Sequence, residues 1–137
     1  MKRIIIADDD QGIQEILNLI LRQAGYEPEL HSNAARLFAN DFIEPTLFII
    51  DKQLDHEDGL EVCGFLKSRK NMNTPVIIFS ASNHYSKSAK AAGADAFLEK
   101  PFQIKTLTNL IHQLTGGPQL IDSEKEKRPL QKVRSGV

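Results

Sequence analysis

The 137-residue chain has a single cysteine, Cys63, and no tryptophan. One thiol excludes an internal disulfide and any multi-cysteine zinc site, and it fits a reducing, cytoplasmic setting. Charge of either sign is not in surplus: 17 basic and 18 acidic groups give a formal net charge of -1, so the chain as a whole is no polycation built for nucleic acid. Long apolar runs are missing too. The longest, such as Ile4–Ala7, Leu47–Ile50 and Val76–Phe79, are four residues each, against roughly 20 for a membrane-spanning helix. The apolar stretch behind Met1-Lys2-Arg3 is too short for a secretory signal. Four histidines, His31, His56, His84 and His112, are scattered without ligand spacing.

The near-zero net charge conceals a division. Residues 1–115 carry 12 basic and 15 acidic groups, and residues 116–137 carry 5 and 3. The first stretch is patterned. Each of the three isoleucine-rich runs is too short for a helix and reads as a strand buried on both faces. Weaker strands are expected at Glu27–His31 and Ala96–Glu99. Helical spacing recurs at Ile13, Ile16, Leu17, Ile20 and Leu21, at Leu60, Cys63 and Leu66, and at Ile104, Leu107, Leu110, Ile111 and Leu114. Glycines follow the first and last of these as stops. Shorter helices are expected in Ser32–Asn40 and Ser86–Ala92, and Cys63 reads as a small buried hydrophobe. Five βα units in succession specify an α/β fold, a parallel sheet covered on both faces. After Thr115 the pattern gives way to a polar, Gly- and Pro-broken stretch, expected to be a tail or linker. One domain, 1–115, is therefore expected.

The chemistry sits where strands end. Asp8, Asp9 and Asp10 follow the first strand, Asp51 ends the third, Ser80 the fourth, and Lys100 follows the fifth. A parallel sheet brings these ends to one edge, where ligands bind in such folds. Asp10 suits a helix N-cap. Carboxylates crowded there repel one another, and a hard divalent cation resolves the conflict; an all-oxygen donor set suits Mg²⁺. A carboxylate beside Mg²⁺ and a lysine ammonium is placed for phosphoryl transfer, and a carboxylate nucleophile forms an acyl phosphate. The Ser80 hydroxyl can donate to a phosphoryl oxygen.

These segments, IIIADDD, LFIID with Gly59 eight residues after Asp51, PVIIFSA and AGADAFLEKPF, resemble in order the receiver domain of two-component response regulators, single-domain type. The resemblance spans about residues 2–115. It implies a doubly wound, flavodoxin-like (βα)5 sheet of strand order 2-1-3-4-5. It implies Asp51 as phosphoacceptor, with Asp8, Asp9, Asp51 and the main-chain carbonyl of Gln53 around Mg²⁺. Ser80, Ala81 and Lys100 would contact the phosphoryl group, and Lys100-Pro101 would be a cis peptide. Ser80 and Phe97 would form a switch pair, and Gln53 and Ser82 would tune the phosphoryl lifetime. The expected partners are a histidine kinase or histidine phosphotransfer protein, and a downstream protein on the face of the fourth helix, fifth strand and fifth helix. Neither direct nucleic-acid binding nor a membrane is implied, and the chain would be a monomer or a phosphorylation-dependent dimer. It would be no enzyme beyond phosphotransfer to its own Asp51 and the hydrolysis that follows. Asp55 departs from the family pattern, which has proline there. Two other readings compete: an interaction module that works without phosphorylation, and a phosphohydrolase of the haloacid dehalogenase type using Asp8-Asp9-Asp10. The latter leaves Asp51 unexplained.

Overall fold

The computed structural model describes residues 1–118; most of the stretch read as a tail, 119–137, lies outside the described residues. Five strands alternate with five helices: β1 (Arg3–Ala7), α1 (Gln11–Gln23), β2 (Glu27–His31), α2 (Ala35–Phe38), β3 (Leu47–Asp51), α3 (Gly59–Lys67), β4 (Val76–Ser80), α4 (Ser86–Ala91), β5 (Ala96–Glu99) and α5 (Ile104–Thr115). All four pairings are parallel and the spatial order is β2-β1-β3-β4-β5, the doubly wound order expected. β2 and β5 are the edges.

The isoleucine-rich runs are buried on both faces because successive side chains alternate between two cores. Ile5, Ala7, Phe48, Ile50, Val76 and Ile78 face one core with Leu37, Val62, Cys63, Leu66 and Ala89 of α2, α3 and α4. Ile4, Ile6, Leu47, Ile49, Ile77 and Phe79 face the other with Leu17, Leu21, Leu107 and Ile111 of α1 and α5. Each fully buried side chain of this size contributes about 1.5–3 kcal/mol.

Local signals set the helix ends. The Asp10 carboxylate accepts from the Ile13 amide at 3.1 Å and caps α1; Asp58 caps α3 by accepting from the Leu60 amide at 2.9 Å. α5 stops at Gly116, whose φ of 80° is the left-handed cap that glycine adopts without penalty. α2 is a single turn, shorter than Ser32–Asn40: only Leu37 is buried on it, and Asn40 leaves at φ 56°. α4 keeps six residues and is preceded by a 3₁₀ turn, Asn83–Tyr85. Between β3 and α3 the chain forms a two-residue antiparallel ladder, Gln53–Leu54 with Glu57–Asp58, which no pattern in the sequence marks.

Candidate functional site

At the carboxyl edge of the sheet the chain ends of β1, β3 and β4 meet. Asp8 and Asp51 are buried and Asp9 is exposed; one carboxylate oxygen from each lies within 4.8 Å of the others. The buried pair is held in place. The Asp10 amide donates to Asp8 Oδ1 at 2.9 Å and the Gln53 amide donates to Asp51 Oδ1 at 3.2 Å. Gln14, on α1, reaches back to donate from Nε2 to the carbonyls of Asp8 (2.5 Å) and His31 (3.2 Å), which ties the ends of β1 and β2 together.

Lys100 follows β5 and points its ammonium between the two buried carboxylates, 3.0 Å from Asp8 Oδ2 and 3.2 Å from Asp51 Oδ2. The Lys100–Pro101 peptide is cis. Burial pushes the Asp51 carboxyl above its ordinary range, and the charge of Asp8 adds to this; Lys100 and the Gln53 amide offset part of it. For Lys100 burial acts to lower the pKa, but the hydrogen bond to Asp8 and the charges of Asp51 and Asp8 outweigh it and hold the ammonium above its usual value. One cation thus serves two buried anions, with Asp9 a third at the rim. That donor set, oxygen-only and open to solvent on one side, fits a hard divalent ion that keeps part of its water shell.

Asp9, Asp10, Asp51, Lys52, Gln53, Ser80, Ala81, Ser82, Tyr85 and Lys100 line one cavity of about 360 Å³. Ser80 is buried at the end of β4, and its Oγ accepts from the Ser82 amide at 3.1 Å, leaving the hydroxyl proton for another acceptor. Phe97 is not in this cavity. It is half-buried on β5 opposite Ile78 and borders a groove with Ser86, Ala89 and Lys90 of α4. Asp55 is exposed and directed to His56, at 3.5 Å. Lys52, Tyr85 and Gln14 were not among the expected site residues. Lys52 follows Asp51 directly, a signal that was available; the place of Tyr85 depends on how the 3₁₀ turn folds back, and no sequence pattern announces it.

The chain resembles known proteins over the same span. The DNA-binding transcriptional regulator NtrC of Bradyrhizobium sp. is 34% identical over 119 residues, 85% of this chain and 25% of that protein. Response regulator MprA of Mycobacterium ulcerans is 32% identical over 127 residues, 89% of this chain and 53% of that protein. The chain therefore spans between a quarter and about half of these relatives. Among solved structures, the response regulator TrrA of Thermotoga maritima, in complex with Mg²⁺-BeF, is 31% identical and superposes with a TM-score of 0.75, covering 83% of this chain and 99% of that one. No described helix is long and apolar enough to cross a membrane. Residues 4–112 match the response regulator receiver domain, and with this sheet order and this cluster of carboxylates the chain belongs to that family of two-component signalling domains.

Proposed function

We propose that this domain is a phosphoacceptor in which Asp51 takes a phosphoryl group from a histidine kinase or histidine phosphotransfer protein. The observation that carries the reading is the gathering of Asp8, Asp9 and Asp51, the two buried members of which share one ammonium, Lys100. Asp51 Oδ attacks phosphorus, the P–N bond to the donor imidazole breaks, and that nitrogen keeps the electron pair and takes up a proton. The attack needs Asp51 ionised, and Lys100 favours that form. Asp8, Asp9, Asp51 and the Gln53 carbonyl are the residues that would hold Mg²⁺, which supplies charge neutralisation for the phosphoryl oxygens when bound.

Lys100 is within reach of an oxygen of the transferred group. Ser80 can donate its hydroxyl to another, and Ala81 lines the same cavity. Ser80 and Phe97 are the pair that would carry the change to the face of α4, β5 and α5. Ser80 is joined to the chain after β4 through Ser82, and Phe97 packs against the core next to α4. A downstream protein is the expected reader of that face, and the domain acts as a monomer or a phosphorylation-dependent dimer.

The test is intact-mass measurement after exposure to phosphoramidate and Mg²⁺. The expected result is a gain of one phosphoryl group, abolished by Asp51→Asn and by chelation. A gain that persists in Asp51→Asn, or none in the unaltered protein, would overturn the proposal.

A further inference from the structure

Two side chains from different loops that both line the Asp51 cavity meet one another. Lys52 leaves the end of β3, where its amide donates to the Phe79 carbonyl at 2.7 Å and its own carbonyl accepts from Gly59 at 2.7 Å. Its backbone is therefore fixed between β4 and the start of α3. Among the described residues its ion pair is with Asp58 and not with Asp8, Asp9 or Asp51. Its ammonium lies 4.1 Å from the centroid of the Tyr85 ring and 3.5 Å from Asp58 Oδ2, and it is only 13% exposed. Tyr85 comes from the 3₁₀ turn after β4. That turn is capped by Ser82, whose Oγ accepts from the His84 amide at 3.1 Å, and His84 packs edge-on to the Tyr85 ring. Asp58 is itself fixed as the N-cap of α3. The contact thus bridges two anchored loops, and both Lys52 and Tyr85 line the cavity that holds Asp51 and Lys100.

We infer that Lys52 and Tyr85 form a strap over the phosphoacceptor cavity that limits the access of water and of small phosphodonors to Asp51. This deepens the phosphoacceptor reading and rests on it. In the loss of the phosphoryl group, a water oxygen attacks phosphorus and the P–Oδ bond breaks. The electron pair returns to the Asp51 carboxylate, and the water proton leaves with inorganic phosphate or solvent. Neither Lys52 nor Tyr85 takes part in these bond changes. They are positioning residues that govern how often water reaches the line of attack. The same opening admits a small donor, so releasing the strap speeds uptake and loss together. A role for Lys52 as a bare charge attracting the phosphoryl group has the opposite signature, because its removal would slow uptake.

The experiment follows uptake from phosphoramidate and subsequent loss by intact mass, in Mg²⁺, for the unaltered protein, Lys52→Ala, Tyr85→Ala, the double variant and Tyr85→Phe. Each alanine variant is expected to accelerate both steps about fivefold, equivalent to about 1 kcal/mol. The double variant is expected to match the larger single effect, since the two act through one contact. Tyr85→Phe keeps the ring and is expected to stay within about twofold of the unaltered protein. Melting curves of each variant verify folding. Unchanged rates in both alanine variants would overturn the strap, as would multiplying effects in the double variant, slower uptake in Lys52→Ala, or Tyr85→Phe behaving as Tyr85→Ala. An unaltered protein that takes up no phosphoryl group would overturn the phosphoacceptor reading itself, and the strap with it.

Discussion

Two chemically identical substitutions in one helix are expected to move stability in opposite directions. Gly59 is the first residue of α3, and its amide donates to the Lys52 carbonyl at 2.7 Å. A Cβ there would stand 2.0 Å from the Asp51 carbonyl oxygen, 2.8 Å from its carbon and 2.9 Å from Lys52 Cα. All three are backbone atoms of the chain leaving β3, so no side chain can swing aside. Ordinary contact begins near 3.4 Å, so α3 and β3 would have to part by about 1.4 Å. Such a shift disrupts the Gly59–Lys52 hydrogen bond, worth about 1 kcal/mol, and adds overpacking strain of about 1–3 kcal/mol. Gly59→Ala is therefore expected to cost about 3 kcal/mol. Gly64 lies in the same helix with nothing within 4 Å of its would-be Cβ, and Gly64→Ala removes the glycine penalty of a helix interior for a gain of about 1 kcal/mol.

Urea unfolding followed by far-ultraviolet circular dichroism reads both variants against the unaltered protein, with the slope against urea as a check on two-state behaviour. An unfolding free energy for Gly59→Ala within about 1 kcal/mol of the unaltered protein would contradict the clash, and so would an equal loss in Gly64→Ala. The displaced atoms belong to Asp51, so the folded fraction of Gly59→Ala is also expected to take up phosphoryl groups more slowly.

Two further outcomes follow from buried titratable groups. Because the Asp51 carboxyl is raised in the folded state, the native protein holds more protons than the unfolded chain between the ordinary and the raised values. Stability falls as pH rises through that window and stays lower above it. Asp51→Asn in chelator is then expected to melt higher than the unaltered protein at neutral pH, with the advantage shrinking in acid. It is also expected to lose most of the stabilisation from Mg²⁺, about 2.7 kcal/mol at a hundred times Kd. A lower melting temperature for the variant at pH 7 in chelator would contradict the account.

The Cys63 thiol is pushed up to about 11 by burial, with Asp95 adding to the shift and Lys67 opposing it. At pH 8 the thiolate fraction is about a hundredfold smaller than at the ordinary value, so iodoacetamide is expected to label native protein at least that much more slowly than protein in urea. The same shift makes stability fall as pH rises from about 9. Equal labelling rates in the two states would sink this expectation.

How much was legible in the sequence depended on how local each cause was. β1, β3 and β4 announce themselves because a strand buried on both faces needs an unbroken apolar run. α1 and α5 are legible from spacing and their stops. That Asp8, Asp9, Asp51, Ser80 and Lys100 gather was legible because a parallel sheet delivers strand ends to one edge, so their places follow from the order of elements. α2 is short, as expected within Ser32–Asn40, because that stretch carries little besides Leu37 to bury. The ladder after β3 is not legible in the sequence because it turns on His56 at φ 65°, a left-handed residue with no glycine to mark it. Lys52 and Tyr85 meet across two loops far apart in the chain, and no periodicity records such a contact.

The edge strand β2 has a consequence for self-association. Among the described residues its run, Glu27-Pro28-Glu29-Leu30-His31, pairs with β1 on one side only. The Glu27 amide points inward, to the Lys2 carbonyl at 2.8 Å, so by strand alternation the backbone nitrogen of Pro28 faces outward. Proline has no hydrogen to offer there, which breaks the outer row of donors at the second residue of the strand. Glu29 is gripped by Arg3 at 2.9 Å and His31 at 2.8 Å, adding charged side chains along the same border. An incoming strand would meet a gap in the hydrogen-bond row and desolvate paired charges to reach it. The sheet is thereby discouraged from growing past β2, and a concentrated solution of this protein is protected on that flank against strand-by-strand polymerisation.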